Sequence, residues 1–145
     1  MNGLASAKTG YVKAGVIGLL ALVLMGAERA TLEVDLVSRW YTLLARADEI
    51  GLSGMLAANA KIQLDDTGVT QNKRQFLASL DGWRETIKDG NIQFKLETAS
   101  AGAATALVCY KFTSNDLMTR ERFQIVSGRI TYSRQSVVAQ DCAGF

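Results

Sequence analysis

At Asp89-Gly90-Asn91 the spacing of apolar residues changes, and that change constrains the fold more than any other feature of the chain. Upstream, Leu36, Val37, Trp40, Tyr41, Leu44 and Ala47 recur at helical spacing, which predicts an amphipathic helix over residues 31–48. Phe76, Leu77, Leu80, Trp83, Arg84 and Ile87 predict a second over residues 70–88. Between them Gly51 interrupts, a short helical stretch covers Leu52 to Ala58, Ile62 and Leu64 alternate with polar neighbours as in a strand, and Thr67-Gly68 marks a turn. Downstream the period is two. Ile92, Phe94 and Leu96 alternate with Gln93, Lys95 and Glu97, "SAGAA" reads as a loop, and Val108, Tyr110 and Phe112 share one face of a strand over residues 105–113. Helices first and consecutive strands afterwards predict an α+β domain. Its sheet should be antiparallel, not parallel, and covered on one face by helices.

The last two strands, "TRERFQIVSGRITYS", should form a hairpin turning at Ser127-Gly128. Counting outward from a two-residue turn pairs Val126 with Arg129, Ile125 with Ile130, Phe123 with Tyr132 and Glu121 with Arg134. Phe123, Ile125, Ile130 and Tyr132 then share one apolar face that ends in a Glu121–Arg134 ion pair.

Residues 1–30 are set apart by composition. Ala14 to Ala27 carries no charge and follows Lys8 and Lys13, the pattern of a signal peptide or a membrane anchor. Fourteen residues at about 1.5 Å each are short for a bilayer core of roughly 30 Å, whereas the flank lacks the small-x-small pattern of a cleavage site. An uncleaved segment over residues 12–27 would tether the chain to a membrane. Either outcome predicts that residues 31–145 act outside the cytoplasm, at a bacterial inner membrane facing the periplasm or as a periplasmic or secreted domain. Cys109 and Cys142 fit that address, because paired cysteines in an oxidising compartment form a disulfide.

Charge and composition exclude several functions. Of the 16 Lys and Arg, two precede the apolar run, leaving 14 against 14 acidic groups, without the basic stripe that nucleic-acid binding needs. The chain has no histidine and no CxxC spacing, so a conventional zinc site and Ser-His or Cys-His catalysis are ruled out, and no cofactor or metal is expected.

The order of elements, with "VSRWYTLLARAD" in the first helix, "LSGMLAANAKIQL" leading into a strand and "ERFQIVSGRITYSRQ" closing the sheet, resembles the nuclear transport factor 2-like superfamily, which includes SnoaL-like proteins and ketosteroid isomerase. The resemblance covers residues 34–137. It implies a cone-shaped α+β fold whose helices pack on a curved antiparallel sheet around an apolar pocket. Trp40, Trp83, Tyr110, Phe112, Phe123, Ile125, Ile130, Tyr132 and Arg134 would line that pocket, each aromatic also fitting an ordinary core position. A homodimer through the sheet and a small apolar ligand or protein partner would accompany it. In ketosteroid isomerase a helix tyrosine and a strand-end aspartate move the proton, which makes Tyr41 and Asp65 catalytic candidates beside Glu121. An ungapped match, however, puts Leu64 and Trp40 at those two positions. A non-catalytic binding domain is the reading favoured by this departure; a SnoaL-like acid–base enzyme and an assembly factor of secretion channels are its rivals.

Overall fold

The computed structural model describes the backbone of residues 16–145 and the side chains of residues 30–145. The expected signal or anchor, residues 1–30 with its apolar run, lies, apart from Ala30, outside the residues described with side chains. Among the described residues no helix is long and apolar enough to cross a membrane.

Among the described residues three α-helices precede or interrupt the start of a single six-stranded sheet. Helix α1 spans Val16–Ala45 and α2 spans Glu49–Met55. Strand β1 (Leu56–Leu64) leads through a 3-10 turn at Asp65–Thr67 into β2 (Val69–Asn72). Helix α3 (Lys73–Ile87) follows, and then β3 (Asn91–Ser100), β4 (Ala103–Lys111), β5 (Asp116–Val126) and β6 (Arg129–Ala139). The boundaries differ from the periodicity in instructive places. Gly51 does not interrupt a helix but sits inside α2, where a Cβ would come within 2.7 Å of Leu43. Residues 69–72 form an edge strand, and α3 starts only where Asn72 and Gln75 complete a reciprocal capping box. The expected "SAGAA" loop shrinks to a turn at Ala101-Gly102, with strand on both sides.

The sheet order is β2-β1-β6-β5-β4-β3. Every neighbouring pair is antiparallel except β1 with β6, which run parallel. The sheet is thus antiparallel as expected, with this one parallel pair. Its physical origin is the long chain excursion between the two strands, which lets β6 return beside β1 in the same direction. Helices α1 and α3 lie on one face, and their apolar stripes meet the sheet at Val37, Trp40, Tyr41, Phe76 and Leu80.

The closing hairpin departs from simple alternation. Ser127 and Gly128 both adopt positive φ, 51° and 71°, as a two-residue turn of the primed type requires. Val126 pairs with Arg129 and Ile125 with Ile130 as counted, but Gln124 then pairs with Tyr132, leaving Thr131 as an extra residue on β6. From there the register is Phe123 with Ser133 and Glu121 with Gln135. A one-residue bulge turns the side chains that follow it to the opposite face, up to a second register shift between Val137 and Ala139. Ser133 and Gln135 face the helices in place of Tyr132 and Arg134.

Candidate functional site

Between the helices and the concave face of the sheet lies a cavity of 390 Å³. Trp40 and Leu44 reach it from α1, Phe76, Leu80 and Trp83 from α3, Tyr110 and Leu117 from the sheet, and Phe112 from the loop after β4. The α3 residues arrive together because positions 76, 80 and 83 share one helical face. Trp83 is held by its indole N–H, which donates to the Leu44 carbonyl at 2.7 Å. Its ring stands perpendicular to Tyr110 and Phe112, which are themselves parallel within 4°.

Gln71, Ser79, Thr86, Ser133 and Gln135 add polar side chains to this lining, and Glu121 adds a carboxylate. Glu121 is 3% exposed and reaches the cavity from β5. Its carboxylate accepts from Tyr41 Oη at 2.9 Å, from Tyr110 Oη, and from Thr119 Oγ1 at 3.3 Å. Burial pushes the Glu121 carboxyl above its usual range, and the hydrogen bonds from Tyr110, Tyr41 and Thr119 offset only part of that. Burial and the neighbouring carboxylate likewise raise both tyrosines well above theirs, so they remain donors. Trp40 is 3% exposed, and its indole N–H is fully buried with no hydrogen-bond partner among the described residues. A buried donor left unpaired costs roughly 1–3 kcal/mol.

The carboxyl's position gives a pH dependence of defined sign. The folded state holds the Glu121 proton more tightly than the unfolded state, so the stabilisation is complete below about 4.5, the ordinary value. It is lost as pH rises through the raised value. Urea unfolding of the wild type should show falling stability over that interval, and Glu121→Gln should flatten the profile there. Parallel profiles for the two proteins would contradict the assignment.

The sequence candidates are placed as follows. Trp40, Trp83, Tyr110, Phe112 and Glu121 line the cavity. Tyr41 stands behind it, bonded to Glu121, and Phe123, Ile125 and Ile130 are closed into the core. Tyr132 instead donates to Gln63 at 2.6 Å. Arg134 pairs with Asp65 at 2.8 Å, so the expected Glu121–Arg134 ion pair does not form. Asp65 also accepts from Ser136 at 2.5 Å, and that bond, then those from Arg134 and Gln63, hold its carboxyl below the usual range. Asp65 sits in the turn after β1 and does not line the cavity, whereas Ile62 and Leu64 of β1 do. Phe76, Leu80, Ser133 and Gln135 are among the lining residues not singled out as such from the sequence. The first two were legible in the stripe of α3, whereas the last two depend on the bulge. Cys109 and Cys142 are joined as a disulfide. With Asp116 they are the described residues close enough to share an ion, but the disulfide leaves no thiolate to ligate one.

Solved proteins share this architecture. An NTF-2 like protein of unknown function from Burkholderia xenovorans LB400 matches with a TM-score of 0.66 at 8% identity, over 79% of this chain and 87% of its own. This chain has the nuclear transport factor 2-like fold. A putative ketosteroid isomerase from Kribbella flavida shares the fold at TM-score 0.60 and 13% identity, covering 72% and 76% of the two chains. An LEH-like epoxide hydrolase from M. tuberculosis does so at 0.58 and 14%, covering 74% and 83%. No protein-family model and no curated protein matches the sequence. The nuclear transport factor 2-like frame thus hosts several activities, and what this one does must be argued from the side chains in its cone.

Proposed function

We propose that the chain is a small-molecule-binding domain of the nuclear transport factor 2-like fold, acting outside the cytoplasm, whose ligand lies in the cavity above Glu121. The observation that carries this is a roomy, largely apolar cavity with the buried Glu121 carboxylate at its wall. A ligand that is mostly apolar and bears one polar group for Glu121 fits that lining. Export is supported by the disulfide and by the apolar segment with its preceding lysines. The homodimer expected from the resemblance belongs to the same proposal and is read by sedimentation.

The two tryptophans of the chain, Trp40 and Trp83, both line the cavity, so intrinsic fluorescence reports its occupancy. Titration with the neutral apolar dye N-phenyl-1-naphthylamine should give saturable quenching, and Leu80→Phe, which fills the cavity from α3, should weaken it at least about tenfold. An unsaturable response in the wild type would sink the reading.

A second reading is acid–base catalysis by Glu121, favoured by its burial beside a cavity and its raised carboxyl. It predicts exchange of an acidic C–H of a bound carbonyl compound in heavy water, followed by NMR and abolished in Glu121→Gln. Bound ligand without exchange would leave the binding role alone.

A further inference from the structure

We propose that the pocket selects organic cations, seating an amine or quaternary ammonium among the rings of Trp83, Tyr110 and Phe112 against the Glu121 carboxylate. The inference rests on the ligand-binding reading above and adds the charge of what is bound.

Charge balance carries the first part. Among the described residues lining the cavity Glu121 is the sole charged one, and no described Lys or Arg joins it there. The groups that meet its carboxylate, Tyr41 from α1, Tyr110 from β4 and Thr119 from β5, are neutral hydroxyls. Such donors satisfy lone pairs without cancelling charge, and a buried carboxylate lacking a counter-charge is costly. A ligand ammonium supplies that counter-charge, and a ligand anion meets repulsion with nothing to offset it.

The rings carry the second part. Trp83 lies 5.8 Å from Tyr110 and 6.1 Å from Phe112 between centroids, perpendicular to both. Aromatic faces attract cations through their quadrupoles, most strongly where water is excluded, and tryptophan is the best of the three residue types. Trp83 is fixed by its bond to Leu44, so little ordering cost falls on binding. An apolar pocket built only for hydrocarbon would not need an ionisable group at its wall, and one built for an anion would place a cation there.

The test compares two probes of one shape on the full chain: choline, and 3,3-dimethylbutan-1-ol, in which carbon replaces the charged nitrogen. Tryptophan fluorescence and calorimetry should show choline bound about tenfold or more tightly. Glu121→Gln should bring choline down to the level of the alcohol while the alcohol is unaffected. Phe112→Leu, with Glu121 intact, should weaken choline more than the alcohol, and thermal unfolding confirms that each variant is folded. Equal binding of the two probes, or binding of neither while N-phenyl-1-naphthylamine still binds, overturns cation selectivity and leaves the pocket standing. Failure of all three probes removes the pocket reading itself.

Discussion

Phe123→Ala is expected to lower the stability of the domain by about 3–5 kcal/mol, read as a lower urea midpoint at an unchanged slope. Phe123 is 2% exposed on β5. Its ring meets Trp40 at 6.1 Å and Tyr41 at 6.2 Å, in both cases edge to face. Those two side chains hang from α1, so Phe123 is the wedge that seats the helix on the sheet. Truncation removes the transfer energy of the ring and leaves a void whose walls, a strand and a long helix, cannot close together. The alternative expected from the sequence, in which Phe123 borders an open pocket, predicts a much smaller loss. A change below about 1.5 kcal/mol would show that the cavity extends to Phe123 and that the core boundary is drawn in the wrong place.

That boundary shows what the sequence carries and what it does not. The switch from helical to alternating spacing at residue 90 is legible because burial on one face imposes a period on any element, whatever its partners. Trp40, Trp83, Tyr110 and Phe112 were legible as inward residues for the same reason. The face of β6 was not, because alternation gives the period of a strand and leaves its phase to the pairing. Tyr132 and Arg134 share one phase, Ser133 and Gln135 the other, and both sets are mixed enough to satisfy either face. The unpaired Thr131 decides between them, and nothing in "GRITYSRQ" marks it. Its consequence reaches the site directly. With the simple register Glu121 would have been neutralised by an arginine at the rim; with the bulge Arg134 belongs to Asp65, and Glu121 is left with neutral donors inside the cavity. The parallel pairing of β1 with β6 escaped the sequence for a related reason. Strand order depends on long-range closure, which a local pattern does not encode.

Removing the disulfide by Cys109→Ala with Cys142→Ala should cost about 3–4 kcal/mol, by the loop-entropy estimate for a 33-residue separation. The bond does more than close a loop. Cys109 is fully buried on β4 with its neighbours Val108 and Tyr110, but strand alternation points it away from the cavity that Tyr110 lines. Cys142 therefore brings the C-terminal tail across the outer face of the sheet, where the Lys95 ammonium lies 4.6 Å from the Phe145 ring centroid. Loss of the bond should free this strap and the end of β6 first, while the cavity on the other face keeps its lining. The double variant is thus expected to unfold at lower urea yet bind N-phenyl-1-naphthylamine with little change, and hydrogen exchange should rise at residues 137–145 before it rises in α3. Equal stability with and without the bond would mean that the tail is held by packing alone. It would also withdraw the support that the disulfide lends to an oxidising compartment, since a bond that contributes nothing to the fold gives no reason to keep the domain where thiols are oxidised.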